Sequence, residues 1–359
     1  MLIEFSVSNY RSIANKQIVS FVPALKQKEF MSNIINSDKH KVLNSIALYG
    51  ANASGKSNLL DAIELFDKLL YISARSSSTT KLPYQPFLLR EGFETMPTAF
   101  EITFIRNDVR YRLGVEYNRT TVLKEWLYRK NIGREVMLYE REYDTIEVSS
   151  GFEGTTKLID TAIEATRDNS LFISTCDMLN VKEAKNIFEW FNSLACVNGI
   201  ETEQQEITTV NLWNDIEYRK KIKEFLNLLN LNILDLNISL ESFDAAKLPN
   251  DIDENIRQNL IKELDGKQGF RTTTTHQWYD KTGSATKKSI NWDLDENESE
   301  GTKKVFHLSG PILRTLIRGG VLVIDEIEAK MHPVMTINTI NLFLNKKTNP
   351  NNAQIIFAT

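Results

Sequence analysis

Gly50, Ala51, Asn52, Ala53, Ser54, Gly55, Lys56 and Ser57 fit the pattern G-x-x-x-x-G-K-[ST] without departure. Each residue type has a physical task there. Glycines let the backbone curl until successive N–H groups point at one spot, and the start of a helix adds its partial positive charge. A lysine at the position of Lys56 reaches the β- and γ-phosphates of a nucleoside triphosphate, and a hydroxyl at the position of Ser57 ligates Mg²⁺. Asn58 continues the loop into the helix and is grouped with the nucleotide-binding residues. A second set of chemical groups closes the run VLVIDE, where Asp325 and Glu326 follow four apolar residues. Ligands of open α/β sheets bind beyond such strand ends. Asp325 is read as the metal ligand and Glu326 as the general base for an attacking water, with Lys56 as its catalytic partner on the phosphates. A second carboxylate directly after the metal ligand points to hydrolysis rather than transfer to a bound acceptor.

These groups work together only if the fold brings them together, because Asp325 is far from Lys56 along the chain. SIALYG is an apolar strand of the kind buried in a parallel sheet. The segment after the loop has Leu59, Leu60, Ile63, Phe66, Leu69 and Leu70 at helical spacing. The loop therefore sits between a buried strand and an amphipathic helix. LIEFSVS and QIVSFVP read as a strand pair at the N-terminus, and residues 26–44 as polar loop. PYQPFLL carries two prolines and is not helix interior. AFEITFIRNDVRYRLGVEYN alternates on both sides of Asn107 and Asp108, a hairpin, and TTVLKEWLYRK and EVMLYEREYDTIEV continue the antiparallel pattern. Residues 160–265 read as helical, 266–304 as polar and loop-like, VFHLSGPILRTLIRGG as a helix ending at Gly319 and Gly320, and AQIIFAT as a closing strand. The sequence thus divides into an N-terminal lobe (1–150), a mainly helical insertion (151–290) and a C-terminal lobe (291–359).

Composition narrows the alternatives. The 359 residues are 42% hydrophobic and 25% charged, with 43 basic and 47 acidic side chains and a net charge of −4. A mostly disordered chain is excluded, and no basic excess announces nucleic acid. No apolar run approaches the length a membrane span needs, and the start MLIEFSVSNYRS, without a basic stretch followed by a long apolar one, leads to the expectation of no secretory leader. Cys176 and Cys196 stand alone, so neither disulfides nor structural zinc are expected, and a reducing cytoplasm fits. Arg219, Lys220, Lys221 and Lys223 fall on a helix whose apolar stripe already explains it, so they read as a solvated face. Phe188, Trp190 and Phe191 read as core. His276, Trp278 and Tyr279 adjoin a polar loop, where loop residues are preferred over a base-stacking platform.

The ordered set FSVSNYRS, GANASGKSN, ESEGTKK, VLVIDEIEAKMHP and IIFAT resembles the ABC-type ATPase heads, among them the SMC and RecF proteins. More closely it is similar to the RloA-type ATPases of bacterial anti-phage and abortive-infection systems, as are PYQPF, EITF…YRLGVEY and KEWLYRK. The resemblance implies an α/β, ABC-ATPase-like P-loop NTPase head with an antiparallel β subdomain and a helical insertion, binding ATP and Mg²⁺. It aligns Asn9, Tyr10, Arg11 and Ser12 with a loop beside the nucleotide, making Arg11 a candidate phosphate or base contact, and Gln85 with a glutamine that touches Mg²⁺. Ser299, Glu300, Gly301 and Thr302 match the signature motif, with Glu300 in place of a usual glycine. Ser299 and Gly301 would there contact ATP held by a second copy of the chain. Ala329 and His332 fall in a dimer-contacting loop, although His332 before Pro333 also suits a helix entry. The resemblance also places a γ-phosphate-sensing residue beyond FAT, so the sequence is expected to be a piece of a longer protein.

The resulting expectation is a cytoplasmic ATPase that forms a homodimer or higher oligomer through shared ATP sites, does not enter a membrane, and regulates a separate protein effector in phage defence. Two alternatives stay open: a RecF-like or SMC-like DNA-binding repair ATPase, and a scaffold whose ATP sites are structural.

Overall fold

The computed structural model describes residues 1–24, 29–36, 40–229, 231–243, 245, 248, 252–264 and 268–359. They form two compact units that interleave along the chain. The first takes Met1–Ile200, Arg314–Ala329 and Thr339–Thr359; the second takes Glu201–Leu313 and Lys330–Asn338.

The two larger sheets of the first unit lie on either side of a helix. The antiparallel sheet has seven strands in the order Thr145–Val148, Val136–Glu142, Val122–Lys130, Val109–Tyr117, Thr98–Arg106, Leu2–Ser8 and Gln17–Ser20. The parallel sheet runs Leu194–Asn198, Val321–Asp325, Gln354–Ala358 and Ser45–Leu48. Helix Lys56–Ile72 touches Leu2–Ser8 on one side and Leu194–Asn198 and Val321–Asp325 on the other. This two-sided packing explains its broad apolar stripe of Leu60, Ala62, Ile63, Phe66, Leu69 and Leu70, all buried. Phe66 packs against Phe5, Phe100 and Phe191 with ring centroids 6.4, 5.7 and 6.1 Å away. Truncating such a ring to alanine costs about 3–5 kcal/mol. Gln354 joins the sheets: its Oε1 accepts from Leu2 N at 2.6 Å, and its Nε2 donates to the carbonyls of Leu2 (3.0 Å) and Leu43 (2.9 Å).

The second unit holds helices Glu203–Trp213, Ile216–Leu228 and Glu254–Leu264, the first part of Glu300–Arg318, and a three-stranded antiparallel sheet. The sheet order is Asp235–Ser242, Gln268–Tyr279, Ala285–Asp293. Trp213, Phe225, Leu236 and Phe306 are among its buried side chains.

Four stretches depart from the sequence reading. Asp235–Ser242 is a strand inside the segment read as helical, its alternating Leu236, Ile238 and Leu240 suiting extended backbone. Leu194–Asn198 is a strand inside the segment read as helical, short and flanked by turn residues. Residues 268–279 and 285–293 are strands where loop was expected, because runs of Thr and Lys look polar while their β-branched content favours extended backbone. Ile34–Asn36 and Lys41–Leu43 pair as a small ladder within the expected loop 26–44, of which 26–28 and 37–39 lie outside the described residues. Phe188, Trp190 and Phe191 are core, Trp190 stacking on Phe104 at 4.3 Å.

Candidate nucleotide site

Strand Ser45–Leu48 delivers the chain into the glycine loop. Ala53 (φ 63°) and Gly55 (φ 94°) are left-handed while Ser54 between them is not, an alternation of the kind that forms anion-binding nests of backbone N–H groups. At Gly50 a Cβ would lie 2.9 Å from Ser54 Oγ, so a larger residue there would have to turn the serine hydroxyl away. Helix Lys56–Ile72 begins immediately, with no side chain capping its N-terminus and no acidic residue in its first turn. Its first N–H groups and the positive end of its dipole are thus available to an anion, and the donor set fits phosphate. Lys56 Nζ donates to the carbonyls of Gly50 (2.6 Å) and Ala51 (3.3 Å), which keeps the ammonium over the loop.

One cavity of about 570 Å³ is lined by Asn52, Ala53, Ser54, Gly55, Lys56, Ser57 and Asn58 on one side and by Asp325 and Glu326 on the other. The fold therefore brings the two motifs together. It does so because Gln354–Ala358 pairs in parallel with both Val321–Asp325 and Ser45–Leu48, so both strands end at the same edge of the sheet. Glu326 is left-handed (φ 48°), and its amide donates to Asp325 Oδ1 at 3.1 Å. Its side chain is exposed, whereas Asp325 is half-buried. Ser57 and Asp325 are oxygen donors of the kind Mg²⁺ prefers.

Gly199, which the sequence reading missed, supports this acidic tip. Strand Leu194–Asn198 pairs in parallel with Val321–Asp325, placing Asn198 beside Asp325. The next residue, Gly199, donates its N–H to the Asp325 carbonyl at 2.8 Å. A Cβ at Gly199 would lie 2.3 Å from Glu326 O and 2.5 Å from Asp325 O. The only signal in the sequence is a glycine after a short apolar run.

Arg11 and Gln85 lie together in a neighbouring cavity of about 680 Å³ that shares Ser12 with the first. Arg11 Nε donates to Gln85 Oε1 at 2.7 Å, and its guanidinium pairs with Asp61 and reaches Asn58 Oδ1 at 3.4 Å. Burial raises the Asp61 carboxyl above its ordinary value, opposed by Arg11 and reinforced by Glu64 and Asp325. Asn58 Nδ2 donates to Ser12 Oγ at 2.7 Å, tying the N-terminal turn to the loop helix. Asn9 and Tyr10 are buried. Asn9 organises the segment after the helix, donating to Phe93 O and Met96 O and accepting from Phe87 N.

In the second unit Ser299 stands at the start of helix Glu300–Arg318, its Oγ accepting from Thr302 N at 3.2 Å. A Cβ at Gly301 would lie 2.9 Å from Lys330 O. Glu300 bonds to Lys303 and Lys330, each at 3.1 Å, and these partners hold its carboxyl below the usual range. His332 Nδ1 accepts from Val334 N at 3.3 Å, at the entry of helix Pro333–Leu344.

Against known families, the one described as "AAA domain, putative AbiEii toxin, Type IV TA system" matches residues 45–359. The chain belongs to this AAA family. Among curated proteins none matches the AAA chain by sequence. Solved structures similar to it include the recombination mediator RecF bound to ATP (17% identity, TM-score 0.38, covering 100% of this chain and 93% of that one). An Smc head domain with an extended coiled coil from Pyrococcus furiosus is 15% identical (TM-score 0.40, 100% and 89% covered). One from Pyrococcus yayanosii is 10% identical (TM-score 0.39, 99% and 92% covered). Likenesses this remote decide nothing about activity. Among the described residues no helix is long and apolar enough to cross a membrane.

Proposed function

We propose that this AAA-family chain binds ATP at the Gly50–Ser57 loop and hydrolyses it to ADP and phosphate. The observation that carries this reading is the single cavity shared by the glycine loop and the Asp325–Glu326 tip. Loop and helix N–H groups bind the phosphate oxygens. Lys56 exchanges the Gly50 and Ala51 carbonyls for charged phosphate oxygens, which are stronger acceptors. Ser57 and Asp325 are the residues that would hold Mg²⁺, with Gln85 a further candidate if it leaves Arg11. That ion, when bound, neutralises charge building on the phosphates. Glu326 takes the proton of the attacking water as the water oxygen bonds to the γ-phosphorus and the bond to the ADP oxygen breaks; the proton then passes to solvent.

The finer reading is a cytoplasmic regulator in phage defence that works with a separate effector protein. The family description, which names a toxin of a type IV toxin–antitoxin system, supports that setting. Two chains would pair around two ATP molecules, Ser299 and Gly301 of one chain meeting the loop of the other. What supports this is a serine at the N-terminus of a 19-residue helix, where the charge of Glu300 is already matched by two lysines.

Binding of a fluorescent ATP analogue and release of phosphate test the reading together. Lys56→Ala is expected to lose binding, and Glu326→Gln to keep binding while release falls about 10²- to 10⁴-fold. Wild-type protein that binds no nucleotide, or Lys56→Ala that binds as well as wild type, refutes it. Light scattering with a non-hydrolysable ATP tests pairing; an unchanged mass refutes the shared site.

A further inference from the structure

The antiparallel ribbon formed by Gln268–Tyr279 and Ala285–Asp293 carries features that the nucleotide reading does not use. From Gln277↔Ser289 to Tyr279↔Ala285 the first strand advances two residues while its partner advances four. The extra residues therefore bulge from the second strand, opposite Trp278, and the alternation along the first strand is intact. The bulge is pinned: the Gln277 side-chain Nε2 reaches the carbonyls of Thr286 (2.6 Å), Trp278 (2.9 Å) and Lys288 (3.3 Å). Its consequence is to put Lys287 and Lys288, both exposed, opposite an aromatic ring.

Because alternation holds, Trp278 shares a face with His276, and the register puts Trp292 on that face through its partner Thr274. The His276 and Trp292 rings lie 4.5 Å apart. Trp278 is 48% and Trp292 38% exposed, and Tyr279 on the opposite face is 58% exposed. Three of the nearby carboxylates are already engaged: Glu298 with His276 at 2.6 Å, Asp293 with Arg271 at 2.7 Å, and Asp280 with the amides of its own turn. Lys281, Lys287 and Lys288 are exposed, and among the described residues no ion pair engages them. The basic helix Ile216–Leu228 is different: Lys220, Lys221 and Lys223 are paired with Glu224, Glu217 and Asp235.

We propose that this bulged ribbon is a docking surface for single-stranded nucleic acid, with bases stacking on Trp278 and Trp292, His276 backing the Trp292 ring, and phosphates meeting Lys281, Lys287 and Lys288. Exposed rings supply sequence-tolerant stacking and unpaired lysines supply counterion release, the two terms that hold single strands. An acidic peptide would use the lysines but leave the rings without a role. The proposal is independent of the nucleotide site.

Fluorescence anisotropy of a labelled oligo-dT strand and of an oligo-U strand with the full chain tests it, with a polyglutamate peptide as competitor. Three lysine–phosphate contacts predict affinity falling about 20-fold between about 50 and 200 mM salt. The Lys287→Ala/Lys288→Ala double variant should flatten the logarithmic salt slope by about 1.4. Trp278→Ala, at an exposed site, should weaken binding at least about 5-fold. No binding at low salt overturns the proposal. So does affinity unchanged in both variants, or polyglutamate competing as well as the oligonucleotide with Trp278→Ala silent, which would mark an acidic protein as the partner.

Discussion

Gly199→Ala tests whether the second sheet edge positions the acids. The added Cβ would lie 2.3 Å from the Glu326 carbonyl oxygen. Ordinary carbon–oxygen contacts begin near 3.3 Å, so the Glu326–Ile327 peptide must retreat by about 1 Å, and the Asp325 carbonyl oxygen, 2.5 Å away, by nearly as much. A displacement of that size at a reacting centre costs about 10²-fold in rate, or about 2.7 kcal/mol of barrier. The three atoms nearest the added Cβ belong to Asp325 and Glu326, not to the loop or Lys56, so ATP affinity should stay within about twofold of wild type. The assay is steady-state phosphate release with nucleotide binding measured on the same preparation, and hydrogen exchange across residues 324–329 reports the displacement itself. A turnover number within twofold of wild type, with exchange across the tip unchanged, would refute the argument. Exchange that rises in the variant while neither protein hydrolyses ATP would retain the positioning contact and refute the hydrolytic function.

Two further perturbations probe buried charge. Burial, with Glu64 nearby, pushes the Asp67 carboxyl up to about 7, and its Oδ1 has no hydrogen-bond partner. Against an unfolded value near 3.9, the folded chain binds more protons between about pH 4 and 7, so stability falls as pH rises through that window. Asp67→Asn should therefore gain a few kcal/mol at about pH 8 and almost nothing at about pH 4; equal effects in urea unfolding at both would contradict the assignment. Glu125 and Arg141 side chains are each 1% exposed. Glu125 accepts from Tyr139 Oη (2.6 Å) and from the amides of Phe172 (2.6 Å) and Ile173 (3.0 Å) at the start of helix Phe172–Met178. Glu125→Ala leaves those three donors without their acceptor and removes the carboxylate 3.9 Å from the buried Arg141 guanidinium, and should cost about 3–5 kcal/mol; a loss below about 1 kcal/mol would show that the strand relaxes around the change.

The chemistry-bearing residues and their local elements were legible in the sequence, because a phosphate cradle demands glycine, lysine and serine at fixed spacing between a buried strand and an amphipathic helix. Gly50–Ser57, the helix after it, and the apolar strand ending at Asp325 are decided by contacts a few residues apart. The strand Leu194–Asn198 was not legible, since five residues amid helical patterns carry too little periodicity, and the Thr-rich strands around 270–290 imitate a solvated loop. Only the tertiary structure decided that Gln354–Ala358 sits between the loop strand and the acid strand, that Arg11 pairs with Asp61, that Gly199 buttresses Glu326, and that a bulge sets two lysines opposite Trp278. Those relations depend on strand order and on the approach of backbones distant in sequence, which arise only when the core of both sheets closes on helix Lys56–Ile72.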